Sequence, residues 1–101
     1  MTAAGALRDE GNGRFSLAGS LVLGTVTALR EQGLRAFGGS SGAIEVDLSA
    51  VGRADSGALA LLVDWLAWAR TAGRAMKFTA LPEALLALAR LSDVEDLLTG
   101  R

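Results

Sequence analysis

The sequence predicts a small α/β domain whose mixed, mostly parallel sheet begins with an antiparallel hairpin and is covered by helices. Its 101 residues are half apolar, which suits one domain with its own core. Strand and helix patterns follow one another in the order ββαβαβα. Each strand–helix–strand crossover requires parallel neighbouring strands. We therefore expect a single domain over residues 1–101, with its core in about residues 6–98.

The N-terminal elements predict the hairpin and a first helix. Residues 6–9 form a weak first strand, and residues 14–18 form a second strand in which Phe15 and Leu17 point to the same side. Gly11-Asn12-Gly13 lies between them and suits a tight turn, because Asn and Gly tolerate positive φ. Ser20 is a candidate cap for a helix that runs to about residue 37.

The remaining elements are predicted from apolar spacing and from turn residues. They are a central strand at 43–48, a loop at 50–53, a helix at 56–72 that stops at Gly73, a strand at 75–79, a helix from Pro82 to residue 91, and a short helix to residue 98 capped by Ser92 or Asp93.

The composition excludes several classes of function. The chain has no cysteine and no histidine, so it has no thiolate metal site, no thiol nucleophile, no Ser-His-Asp triad and no histidine-based metal centre. We expect no metal, no cofactor and no enzymatic activity. The net charge is −1, with scattered arginines, which argues against nucleic-acid binding.

The chain is also predicted to stay out of the membrane. Its N-terminal residues show no basic start followed by an apolar run, so no secretory signal is expected. The longest apolar run, residues 58–69, is interrupted by Asp64 and is far shorter than the roughly 20 residues that span a bilayer. These observations predict a cytoplasmic domain.

The second long helix carries two apolar arcs when its residues are placed at about 100° each. The predicted core arc contains Leu59, Leu62, Val63 and Leu66. The second arc contains Ala58, Leu61, Trp65, Trp68 and Ala72, and the small or polar remainder contains Ser56, Ala60, Asp64, Ala67 and Thr71. A neighbouring helix of the same domain could cover the second arc. We favour a protein-docking arc, because tryptophan is common among interface hot spots. Such a face could also make the chain self-associate.

The turn before this helix offers further candidate roles. Asp55 or Ser56 can cap the helix by accepting a backbone N–H. A phosphate on Ser56 would be tolerated at the positive end of the helix dipole and could dislodge a partner. Asp47 and Asp55 could act as a paired acid near the exit of the central strand. For Asp47, local hydrogen bonds to the backbone are the favoured interpretation.

Three segments resemble the STAS domain family: Phe15-Ser16-Leu17-Ala18-Gly19, Val46-Asp47-Leu48-Ser49, and the run from Asp55 to Leu62. The resemblance covers about residues 6–98 and implies a non-catalytic α/β binding module. In anti-sigma-factor antagonists of this family the helix begins Asp-Ser-Ser-Gly-Leu, and a partner kinase phosphorylates the second serine. Alignment on Asp55 and Leu59 places Ser56 at the first serine and Gly57 at the second.

A second branch, the MlaB-type STAS subunits of phospholipid-transporting ABC complexes, resembles the chain more closely. Its pattern is Asp-(Thr/Ser)-Gly-Gly-Leu-Ala-Leu-Leu, from which this chain departs at Ala58. The resemblance implies a cytoplasmic subunit, held at the inner membrane through a partner, whose Ser56 and following helix face the ATPase. The predicted partner-binding residues are Asp55, Ser56, Gly57, Ala58, Leu61, Trp65 and Trp68. The alternative is an antagonist of an anti-sigma kinase, switched at Ser56.

Overall fold

A computed structural model describes residues 5–99. Its elements are β1 (Ala6–Gly11), β2 (Arg14–Leu21), α1 (Val26–Gly38), β3 (Ile44–Ala54), α2 (Ser56–Thr71), β4 (Met76–Thr79), α3 (Glu83–Leu91) and α4 (Glu95–Thr99).

The four strands form one mixed sheet in the order β1-β2-β3-β4. β1 and β2 are antiparallel, whereas β2 pairs with β3 and β3 with β4 in parallel. The register aligns Phe15 with Val46 and Val46 with Phe78, so buried apolar side chains form a row across the sheet. The predicted fold class is therefore confirmed.

The helices cover one face of this sheet. Because the strands lie in chain order, the right-handed crossover rule places α1 and α2 on the same side. Phe15, Leu17, Val46 and Leu48 are at most 1% exposed and belong to one core with residues of all four helices. The intervening positions form the open face. It carries Arg8, Glu10, Arg14, Ser16, Glu45, Asp47, Lys77 and Thr79, which are exposed or half-buried.

The predicted hairpin turn is present. Asn12 has φ 56°, and it lies between Gly11 and Gly13 at φ 87° and 78°. The Asp9 carboxylate accepts a hydrogen bond from the Gly11 N–H at 2.8 Å. Local side-chain chemistry is thus enough to set the position of this turn.

Two predicted boundaries were wrong. The first helix begins at Val26 rather than after Ser20, because β2 continues to Leu21 and pairs there with the end of β3. β3 in turn runs to Ala54, through the residues predicted as a loop at 50–53. Irregular register between β2 and β3 interrupts the apolar alternation, and this explains why the strand pattern stops at Leu48.

Trp65 lies at the centre of the core. It is fully buried, and its ring meets Phe37 edge-to-face with the centroids 5.0 Å apart. Phe37 meets Phe15 in the same way at 4.9 Å. This aromatic row joins α2, α1 and β2.

No helix within residues 5–99 has both the length and the apolar character needed to span a membrane.

Candidate partner-docking surface

The assignment of the two apolar arcs of α2 was wrong. Trp65 and Ala58 are fully buried and Leu61 is 2% exposed, so the predicted docking arc faces the core. Of the predicted core arc, Leu62 is fully buried as expected, whereas Leu59, Val63 and Leu66 are only partly buried. The reason is that α1 packs against α2 on the side of Leu61 and Trp65.

Gly33 allows α1 to pack directly against the Trp65 ring of α2, because it has no side chain. A Cβ at Gly33 would lie 2.4 Å from Cζ2 of the Trp65 ring. The Trp65 Nε1–H also points to the Arg30 carbonyl, at 3.4 Å. Trp68 is half-buried, 5.9 Å from Phe37 between ring centroids. Trp65 is therefore not available for docking or for the self-association predicted from the tryptophan face, and Trp68 keeps only part of its surface exposed.

The exposed stripe of α2 is the small or polar arc. Its members are Ser56, Ala60, Asp64, Ala67 and Thr71, all of which are exposed. Ser56 and Ala60 are four residues apart and so lie on the same face of the helix. Of the predicted partner-binding residues, Ser56 is the one whose side chain is exposed. Asp55 and Trp68 are half-buried, and the other four are buried.

Asp55 fixes the start of α2. Its carboxylate accepts from the Gly57 N–H at 2.7 Å, which is the expected N-cap bond. Its second oxygen lies 3.4 Å from the Leu23 N–H. One carboxylate thus ties the helix start to the turn formed by residues 22–25.

Gly57 occupies a position that excludes a side chain. A Cβ there would lie 2.9 Å from the Leu23 backbone nitrogen and 3.0 Å from the Asp55 carboxylate. A backbone atom cannot withdraw as the end of a flexible side chain can. A serine at residue 57 would therefore require the 22–25 turn to move.

Beside this turn lies a shallow groove of about 190 Å³ between α1 and α2. Leu23 is 68% exposed at its edge, and Thr27 and Ala60 line it. Arg30 and Asp64, which form an ion pair at 3.0 Å, also line it. We define the α1–α2 surface as Leu23, Thr27, Ser56, Ala60, Arg30 and Asp64. It combines a small apolar centre with a polar rim, as protein interfaces do.

Sequence reasoning missed Leu23, because residue 23 fell inside a helix predicted to begin after Ser20. The signal that could have located the turn is Gly24-Thr25, a glycine followed by a residue type that caps helices. Thr25 is the residue before α1, and its hydroxyl donates to the Ser20 carbonyl at 2.9 Å.

The paired-acid interpretation was wrong. Asp47 lies on the open face near the start of β3, where it accepts from the Ser49 N–H at 2.8 Å. Asp55 follows the end of the same strand, so eight steps of extended chain separate the two, roughly 25 Å. The sheet order has no reversal at which a ligand cleft would open.

The fold is that of a small α/β domain with one sheet face covered by helices. The sequence model described as "Mlab, STAS domain" matches residues 6–99. The chain therefore belongs to the MlaB-type STAS domain family. STAS domains act through protein–protein contacts. No curated protein matches the chain.

Two solved structures share the fold. The anti-sigma factor antagonist SpoIIAA in its unphosphorylated form is 15% identical, with a TM-score of 0.72 over 91% of this chain and 83% of that one. An anti-sigma factor antagonist from Mycobacterium paratuberculosis is 21% identical, with a TM-score of 0.69 over 94% of this chain and 81% of that one. At these identities the likeness concerns the fold alone.

Proposed function

We propose that the chain is a non-catalytic subunit that docks on the ATPase of an ABC transporter for phospholipids. It acts in the cytoplasm and reaches the inner membrane through that partner. The observation that carries this choice is Gly57. In the kinase-switched branch the corresponding position holds the phosphorylated serine, and here backbone and carboxylate atoms fill the space that its side chain would need.

The contact is made by the α1–α2 surface. Leu23 supplies an exposed apolar anchor, and Ala60 leaves room for a partner side chain to approach the helix. Ser56 lies one turn before Ala60 and offers a hydroxyl at the rim. Leu61 and Trp65, which were predicted to bind the partner, are buried. They pack α1 against α2 and so fix the relative positions of the residues on the α1–α2 surface.

Substitutions on this surface are expected to weaken binding to the cognate ATPase without unfolding the chain. Leu23→Lys removes the apolar anchor, and Ala60→Arg fills the groove. We expect each to weaken binding by about tenfold or more, as at interface hot spots. Binding is measured by titration of the purified ATPase subunit, and circular dichroism checks the fold.

Two matched controls lie elsewhere on the surface. Leu91 is an exposed leucine on α3, and Ala87 is an exposed alanine on the same helix. Leu91→Lys and Ala87→Arg make the same chemical changes and should leave ATPase binding unchanged. If the Leu23→Lys and Ala60→Arg variants bind the ATPase as tightly as the wild-type chain does, the docking surface lies elsewhere. Failure of the wild-type chain to bind the ATPase would refute the proposed function.

The second candidate is an anti-sigma-factor antagonist switched by phosphorylation of Ser56. The observation in its favour is the exposure of the Ser56 hydroxyl at the first residue of α2. A phosphate there would lie beside the Asp55 carboxylate. It would compete with that carboxylate for the backbone N–H groups at the start of α2. Such competition would loosen the 22–25 turn.

Incubation with candidate anti-sigma kinases distinguishes the two functions. Under the transporter proposal, intact-mass measurement should show no added phosphate on the wild-type chain. The Ser56→Ala variant should keep its binding to the ATPase within a few fold. Stoichiometric phosphorylation that Ser56→Ala abolishes would favour the antagonist instead.

A further inference from the structure

α3 is apolar on its outer side as well as on its buried side. Seven of its nine residues are apolar, and among them Leu85 and Ala89 face the core. On the outer side Ala84, Ala87 and Leu91 follow one another at helical spacing, and all three are exposed. Leu91 is 85% exposed, more than any other large apolar side chain of residues 5–99. A surface helix ordinarily carries polar residues on this side, so the outer face of α3 is unusual.

The unpaired charges around this face are all negative. Arg90 is the one cation of residues 83–99, and its Nε–H donates to the Glu95 carboxylate at 2.7 Å. Within residues 5–99, the carboxylates of Glu83, Asp93 and Asp96 form no ion pair, and all three residues are exposed. Asp93 and Asp96 line a polar pocket of about 240 Å³ together with the ion pair, just beyond the end of α3.

These residues form a second surface with an apolar centre and an acidic rim. We define the α3–α4 surface as Glu83, Ala84, Ala87, Leu91, Asp93 and Asp96. It shares no residue with the α1–α2 surface. Two copies of the chain that met through it would bring carboxylates against carboxylates, and an anionic lipid surface would be repelled in the same way. A cationic occupant is attracted by each of the three unpaired carboxylates.

We propose that the α3–α4 surface docks a basic amphipathic helix of a second partner protein. The apolar stripe of that helix lies along Ala84 and Ala87, whose small side chains allow close approach, and it covers Leu91 as the anchor. Lysines or arginines beside the stripe face the three carboxylates. Flanking charges of this kind set partner choice and orientation in helix pairs.

The distribution of charge also sets the direction of the partner helix. Asp93 and Asp96 lie at the C-terminal end of α3, whereas Glu83 is alone at its start. The macrodipole of α3 is negative at its C-terminal end as well. The more basic end of the partner helix therefore lies beside Leu91. This docking does not depend on which protein binds the α1–α2 surface.

A pair of synthetic peptides tests the chemistry of the occupant. The probe is a helical peptide of about 18 residues with leucines on one face and lysines on the other, and its control has glutamates in place of the lysines. The chain should bind the lysine peptide about tenfold or more tightly than the glutamate peptide, and added salt should weaken binding. In NMR spectra of the isotope-labelled chain, the lysine peptide should shift the amide signals of α3 and α4.

Three results would overturn the proposal. They are the absence of lysine-peptide binding up to millimolar concentration, equal binding of the two peptides, and amide shifts centred on the α1–α2 surface or on the open face of the sheet.

The apolar anchor is tested by Leu91→Gln, which should weaken binding of the lysine peptide by about tenfold. Leu23→Gln is the matched control, because Leu23 is also a largely exposed leucine but lies on the α1–α2 surface. It should bind the peptide as the wild-type chain does. Both side chains are exposed, and circular dichroism checks that both variants fold. Wild-type binding by Leu91→Gln would mean that α3 does not provide the contact.

The acidic rim is tested by removing charges without changing side-chain shape. Asp93→Asn with Asp96→Asn should weaken binding by about threefold or more and reduce its salt dependence. Asparagine suits residue 93, where φ is 60°. Glu83→Gln should also weaken binding, whereas Glu31→Gln makes the same change at an exposed position of α1 and should have no effect. If all these variants bind like the wild-type chain, charge does not select the partner and the proposal fails.

Discussion

Replacement of Trp65 with alanine is expected to lower the free energy of unfolding by about 3–5 kcal/mol, the range for loss of a large buried aromatic side chain. Trp65 is fully buried and packs edge-to-face against Phe37. Alanine would leave a cavity between α1, α2 and the sheet. The total free energy of unfolding of a domain of this size is about 5–15 kcal/mol, so the variant would be close to unfolding. Urea denaturation followed by circular dichroism measures the loss.

Trp68→Ala is the matched control. Trp68 lies one turn further along α2 but is only half-buried, with the Arg74 guanidinium carbon 5.7 Å from its ring centroid. We expect its replacement to destabilise the chain by about half as much, since less apolar area leaves water. Equal stability losses for the two variants would contradict the placement of Trp65 in the core.

This difference in burial decides which variants can test docking. A charge at Trp65 would lie in the aromatic core without a partner, and it would abolish binding by unfolding the chain. Such a loss would be misleading, because it would suggest a contact that the side chain cannot make. Substitutions at Leu23 and Ala60 avoid this problem, since both residues are exposed.

The order of elements and the turns could be predicted because they depend on neighbouring residues. Asn12 and Gly73 have positive φ, as their residue types suggest. The order of strand and helix patterns, with the crossover rule, was enough to predict a mixed sheet. The length of β3 was not predictable in this way. It depends on pairing with β2 through irregular register, which leaves no clean alternation in the sequence.

The orientation of α2 could not be read from its own sequence. A helical wheel gives the angles between side chains but not the direction of the core. In this chain α2 contacts both α1 and α3 in addition to the sheet, so its buried surface is wide and includes Leu61, Leu62 and Trp65. The aliphatic arc looked suited to the sheet, but of its members only Leu62 is as fully buried as Trp65.

Of the predicted partner-binding residues, Ser56 alone belongs to the proposed α1–α2 surface. Asp55, Ser56 and Gly57 were located from the strand–loop–helix pattern, and the structure places all three at the start of α2. The turn that carries Leu23 has a local signal in Gly24-Thr25, but its contact with the Asp55 carboxylate, 32 positions away in the chain, has none. Non-local contacts of this kind leave no periodic trace in the sequence.

Gly33→Ala is expected to destabilise the chain although alanine is the better helix former. In an exposed helix the change would add about 1 kcal/mol of stability. At Gly33 the new Cβ would lie 2.4 Å from Cζ2 and 2.6 Å from Cε2 of the Trp65 ring. That ring is fully buried and packs edge-to-face against Phe37, so moving it would disturb the packing of the core. Overpacking of this kind typically costs about 1–3 kcal/mol.

Thermal and urea denaturation of Gly33→Ala and Gly38→Ala measure this effect directly. Gly38 lies in the same helix, and a Cβ there would have no neighbour within 4 Å, so Gly38→Ala should be neutral or slightly stabilising. In a Trp65→Phe background the smaller ring no longer reaches Gly33, and most of the destabilisation by Gly33→Ala should disappear. A Gly33→Ala variant as stable as Gly38→Ala would mean that α1 does not approach α2 through Gly33. The buried position of Trp65, on which the choice of the α1–α2 surface depends, would then be wrong as well.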